Sequence, residues 1–130
     1  MAISTIEENE IPEHFSIFTL VHFRKPADST GTVTLSAAGH HPKCRLVKGQ
    51  SVVLAYSTAA DVAALERGSG EDVATVTCGT AIGVSVDFTI APAAGTKNVF
   101  ERNEDIVFNL TTDGNAANAG IFAFTFESIH

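Results

Sequence analysis

His40, His41 and Cys44 form the one cluster in the chain with metal-ligand character, and Cys78 is the remaining thiol. Zinc takes four nitrogen or sulfur ligands in a tetrahedron. Neighbouring histidines on an extended chain point their rings apart, so Gly39 to Pro42 reads as an exposed turn with two solvated imidazoles, followed by a buried thiol. We expect no metal, no other cofactor and no Cys44–Cys78 disulfide. Asp87 and His22 are a poor start for a cupin-type centre, which needs more inward histidines. Ser85 follows a glycine in Gly83-Val84-Ser85-Val86-Asp87, but a nucleophile elbow needs a sharp strand-to-helix turn and this stretch alternates like a strand. The chain has neither a phosphate-cradling loop nor an H-E-x-x-H pair. Glycosidase carboxylates meet in space rather than in sequence. However, Trp is 0 and Tyr is 1, and sugar sites rely on flat aromatic platforms. The nine Phe fall mainly at strand positions, where core packing accounts for them. Asp113-Gly114-Asn115 resembles a fragment of a calcium loop and reads as a turn. No catalytic residue emerges, and the chain is not expected to be an enzyme.

Composition narrows the partners. The 130 residues suit one domain. Val, Ile and Thr together number 35 while Leu numbers 6, a β-branched excess that favours strands over helices. A net charge of -7 with pI near 5.0 argues against nucleic acid. The start, Met1 to Glu10, lacks the positive charge and apolar run of a secretory signal. The most apolar segment, Phe15 to Phe23, is too short to cross a bilayer as a helix, so no membrane role and cytoplasmic synthesis are expected.

The elements that must position any site are strands. Residues 1–14 carry four glutamates and scattered isoleucines and read as an N-terminal arm; residues 15–130 read as a single β-sandwich domain. From Phe15 the period is two, with Ile17, Thr19, Val21 and Phe23 on one face and Phe18, Leu20 and His22 on the other. Cys44–Val47 and Ser51–Ser57 read as two strands parted by Lys48-Gly49-Gln50. Thr58 as a cap, Asp61 three residues on and Gly68 as a stop predict a short helix over 58–67. Ile82, Val84, Val86, Phe88 and Ile90 predict one long strand with these five residues inward. Phe122, Phe124 and Phe126 are inward on the last strand, after the Asp113-Gly114-Asn115 turn. About eight strands and one helix predict an all-β, antiparallel β-sandwich of jelly-roll type.

Two patterns suggest an interface. Phe18 and Leu20 make the second face of the first strand apolar, and Ile121 and Ala123 do the same opposite the three phenylalanines of the last. A lone sandwich should be polar on its outer faces, so a helix, a loop or a partner must cover them. Charge is also sorted along the chain: -4 over residues 1–13, +4 over 24–48 and -7 over 49–130. Uneven surface charge alone would produce such a pattern. The sharper reading is an acidic arm (Ile3, Ile6, Glu7, Glu8, Glu10, Ile11) that orders on a basic region (Arg24, Lys25, Lys43, Arg45, Lys48) of the same or another copy, with Phe18 and Leu20 completing the candidate interface.

Asp105-Ile106-Val107-Phe108, Thr111 through Gly120 and the strand Ile121-Phe122-Ala123-Phe124-Thr125-Phe126 resemble the closing strands of small β-sandwich head-decoration, or capsid cement, proteins of tailed bacteriophages. The resemblance covers about the last 30 residues together with overall size and strand density. It implies a non-enzymatic structural protein of the virion, a homotrimer on the capsid exterior contacting the major capsid protein. Two other readings stand beside it. One is a carbohydrate- or receptor-binding module of a phage tail or surface protein. The other is a cupin-like or hydrolytic enzyme on the same fold.

Overall fold

The computed structural model describes residues 17–91 and 97–129. They form ten strands: β1 (Ile17–Arg24), β2 (Gly31–Ser36), β3 (Cys44–Ala55), β4 (Val62–Arg67), β5 (Asp72–Thr77), β6 (Ser85–Asp87), β7 (Thr89–Ile90), β8 (Val99–Phe100), β9 (Ile106–Thr112) and β10 (Ala119–Ser128). One sheet runs β1-β10-β3-β6, with β8 also on β3; the other runs β2-β9-β4-β5-β7. We call them the first and second sheets. All pairs are antiparallel. The pairs β1–β10, β2–β9, β3–β6 and β4–β5 are nested, the outermost strands of the chain pairing with each other and the innermost likewise. The chain is an all-β antiparallel sandwich, as its β-branched composition predicts.

Between the sheets lies an aromatic core. Phe100, Phe108, Phe122, Phe124 and Phe126 are buried with Leu46, Leu65 and Ile106. Phe88 meets Phe124 edge-on at 4.9 Å between centroids, and Phe108 lies 4.7 Å from Phe122. Such pairs add about 0.5–1.5 kcal/mol each beyond the area they bury. The period-two reading of β10 therefore holds: its three phenylalanines point inward, with Ile121 and Ala123 outward and half-buried.

Three expectations about elements are corrected. The helix over 58–67 does not form. Thr58 adopts a left-handed φ of 61°, and Val62–Arg67 is strand β4, paired along both edges with β5 and β9. A helix of one or two turns has little stability of its own, while two ladders satisfy this backbone and bury Ala63 and Leu65 completely. The long strand over 82–90 is broken instead. Gly83 has φ 85° and donates its N–H to the Val53 carbonyl at 2.7 Å, which folds residues 80–84 into a turn against β3. Ile82 and Val84 are consequently exposed rather than inward. The chain then crosses from β6 in the first sheet to β7 in the second through buried Phe88, and Val86 and Ile90 pack against the core. Finally, Lys48-Gly49-Gln50 does not end a strand. β3 runs twelve residues through a bulge opposite Thr125 and Phe126, because a bulge absorbs an extra residue without ending the ladder.

Candidate interaction surface

At one pole of the sandwich the chain buries a charge. Arg24 ends β1 with 0% of its surface exposed. Its Nε donates to Asp61 Oδ2 at 3.0 Å, and its Nη2 donates to Asp113 Oδ1. Nη1 donates to the carbonyls of Lys25 at 2.8 Å and Asn118 at 2.7 Å. Asp61 is shared: its Oδ1 also accepts the Gly114 N–H and Asn118 Nδ2, both at 3.0 Å. Asn118 in turn accepts the Ser57 N–H at 2.8 Å. One guanidinium thus ties the end of β1 to the segments before β4 and before β10. Gly114 completes the arrangement. A Cβ there would lie 2.3 Å from the Ala59 carbonyl oxygen and 2.5 Å from that of Ala60. Gly114→Ala is therefore expected to destabilise the protein by about 2–3 kcal/mol through overpacking; chemical denaturation measures it, and an unchanged midpoint would contradict the tight approach.

The outer face of the first sheet carries a run of apolar residues. Its rows run Phe23–Ile121–Val52–Ser85 and Val21–Ala123–Gln50–Asp87, followed by Thr19–Thr125–Lys48 and Ile17–Glu127–Arg45. Phe23, Ile121, Val52, Val21 and Ala123 adjoin one another in the first two rows, which end in Ser85 and in Gln50 and Asp87; the other two rows are polar apart from Ile17. Val21 is 60% exposed and Phe23 45%. Among the described residues no helix covers this face.

Beside it the two sheets part. A cleft of about 440 Å³ opens between β1 and β2, lined by His22, Phe23, Lys25, Asp28 and Val33, with Phe108 and Leu110 at its floor. His22 stacks on Phe108 at 4.5 Å between centroids. Burial lowers its pKa from the usual 6.5; nearby Asp28 opposes the shift and Lys25 reinforces it. The unfolded chain then binds the proton more readily than the fold does. Stability from this site is full above pH 6.5 and is lost as pH falls through the lower folded value. His22→Phe is expected to flatten the acid side of a plot of melting temperature against pH between 7.5 and 5; parallel curves for parent and variant would refute the assignment.

The candidate interface residues are placed as follows. Phe18 and Leu20 belong to the inner face of β1, where they pack half-buried against the core; the exposed apolar residues of that strand are Ile17, Val21 and Phe23. The alternation was legible, but the assignment of faces was reversed, because the core side is fixed by β10. Arg24 is no surface cation: it is consumed by Asp61 and Asp113. Lys25 lies at the cleft. Lys43 and Arg45 stand at the opposite end of the first sheet, paired with Glu101 at 3.4 Å and Glu127 at 3.8 Å, and Lys48 is exposed on the outer face. The basic segment therefore does not make one patch, because the extended strand separates its ends. Ile3, Ile6, Glu7, Glu8, Glu10 and Ile11, with the whole of the arm at residues 1–14, lie outside the described residues.

The histidine–cysteine cluster also resolves. His41 is fully buried rather than solvated, with Nε2 2.7 Å from the Glu104 carbonyl oxygen and Nδ1 2.8 Å from that of Pro42. Cys44 and Cys78 are free thiols. Burial pushes the first up to about 12 and the second to about 11, the latter partly offset by a hydrogen bond with Ser51. Neither is a nucleophile near neutral pH. Among the described residues no three His, Cys, Asp or Glu side chains converge as a metal site.

Comparison with known proteins finds no matching family model, no matching curated protein and no matching solved structure. The class the fold defines is an antiparallel β-sandwich with a partly apolar outer sheet face and, among the described residues, an open edge at β1. The functional reading rests on that geometry.

Proposed function

We propose that this chain is a non-catalytic structural protein that decorates a bacteriophage capsid, docking on the shell through the outer face of its first sheet. The observation that carries the reading is that face: Val21, Phe23, Val52, Ile121 and Ala123 lie side by side on a sheet that no helix covers among the described residues. Apolar area of this kind gains about 25 cal/mol per Å² when a partner removes it from water. We read the nested strand pairing as a jelly roll, an architecture shared by capsid and lectin domains. The segment that carries the resemblance to cement proteins coincides with β9, the loop tied to Arg24, and β10. The test is co-sedimentation of purified protein with undecorated capsids. Parent protein is expected to pellet with the shells to a fixed stoichiometry, and a Phe23→Glu, Ile121→Glu variant that keeps its β-sheet circular dichroism is expected to stay in the supernatant. Equal pelleting of both would remove this face from the reading, and no pelleting of the parent would remove the reading.

A further inference from the structure

We infer that β1 is a self-association edge, and that two copies pair their β1 strands antiparallel about a two-fold axis at Leu20 to make one continuous sheet. The inference rests on the proposed structural role and adds to it how copies join.

A sandwich has four free strand edges, and an unprotected one is a template for another strand. Among the described residues they are β1 on one side of the first sheet and β6 with the two-residue β8 on the other, and β2 and β7 in the second. β6 has three residues and β7 two, too short to template much. β2 begins at Gly31 with φ 148° and carries a bulge between Thr34 and Ser36. β1 alone is long and regular: all eight residues pair in unbroken register with β10. From Ile17 to Phe23 it contains no Pro, Gly, Lys, Arg, Asp or Glu, the residues that ordinarily blunt an edge.

The occupant follows from the strand's own pattern. Directly opposed residues in an antiparallel pair share a face, so a two-fold must pair positions of like parity. Centred on Leu20, it sets Ile17 opposite Phe23 and Thr19 opposite Val21 on the outer face, and Phe18 opposite His22 and Leu20 opposite Leu20 on the inner one. Every opposed pair has an apolar member and none brings like charges together. Shifting the centre to Val21 would set Lys25 against Ile17 and Arg24, already consumed by Asp61, against Phe18. The strand thus complements a second copy of itself. The open side of the sandwich gives the same answer. Phe18, Leu20 and His22 are half-buried, and among the described residues no strand lies beyond them; a second copy supplies the same three side chains, beside the cleft. The outer apolar faces of both copies then form one surface, available to a shell. Such an interface is isologous and closes at two copies, in place of the three-fold closure that the cement resemblance implies.

Light scattering on the full chain tests this, with circular dichroism as the check on folding. The parent is expected at twice the 13.7 kDa chain mass. Val21→Lys, a charged gatekeeper on the edge, is expected to retain the β-sheet spectrum and weaken self-association about tenfold or more. Leu20→Cys is expected to yield a disulfide-linked dimer on mild oxidation, since Cys44 and Cys78 are protonated and partly or wholly buried. A parent trimer, a dimer indifferent to Val21→Lys, or a Leu20→Cys dimer that does not cross-link would each overturn the pairing. So would a monomer that dimerises only when residues 1–14 are removed, which would put the chain's own N-terminal segment on the edge. Shell co-sedimentation separates the two claims: a monomer that still pellets with capsids sinks the pairing alone, and a cross-linkable dimer that never pellets sinks the capsid reading alone.

Discussion

Arg24→Met is expected to destabilise the fold by about 3–5 kcal/mol, because removing one partner of a buried ion pair leaves the other charge buried and uncompensated. Asp61 is 6% exposed, and its Oδ2 faces the Arg24 Nε. Without the guanidinium the Lys25 and Asn118 carbonyls also lose their donor. Exposed pairs such as Lys43–Glu101 offer a contrast, since water screens them and their loss costs about 0–1 kcal/mol. Asp61→Leu should also be damaging, as it removes the more deeply buried of the two carboxylates on Arg24 and leaves the Gly114 N–H without an acceptor. The double variant should cost less than the two single costs combined, by about 0.5–3 kcal/mol. Urea denaturation of the four proteins measures the cycle. A single Arg24→Met variant within about 1 kcal/mol of the parent would show that the guanidinium is not a structural tie.

Phe88→Ala should cost about 3–5 kcal/mol, the usual range for a large aromatic deleted from a core. The ring contacts Phe122 and Phe124 edge-on and presses on Gly49, where an added Cβ would sit 3.0 Å away. Its N–H donates to the Gly49 carbonyl at 2.8 Å, holding the chain where it passes from one sheet to the other. The cavity left by alanine would open beneath that crossing, so the loss is expected to loosen β6 and β7 together. Hydrogen exchange of the β6 and β7 amides would register this. Unchanged protection there, with a midpoint near that of the parent, would contradict the role assigned to Phe88.

The sequence was most legible where a single rule acted alone. Phe122, Phe124 and Phe126 alternate with smaller residues on a strand paired along both edges, so period two dictated the core face. Phe88 was also read as inward, and it is buried, though in the crossing between β6 and β7 rather than on the long strand expected. The rule failed where a tertiary contact intervened. Ile82 and Val84 continue the alternation perfectly in sequence, yet Gly83 bends them into a turn on β3. Residues 58–67 carry real helix signals, but they sit between two strands that need partners. The buried Arg24 could not be read from residue type, because arginine is ordinarily a surface group and its partners, Asp61 and Asp113, lie 37 and 89 positions away. One signal existed: an arginine closing an apolar strand, with the Asp113-Gly114-Asn115 turn elsewhere as a source of carboxylate. On β1 the apolar count was readable but the side was not, since both faces are rich in large residues and only the pairing with β10 decides between them.

The proposed role is docking of the outer face of the first sheet on a larger protein shell. Electron cryomicroscopy of undecorated capsids incubated with the protein tests it most directly. Added density is expected at fixed lattice positions on the capsid exterior, each copy fitting the ten-stranded sandwich with Phe23 and Ile121 turned toward the shell. Capsids that remain bare at saturating protein, or copies bound with that face turned outward to solvent, would contradict it.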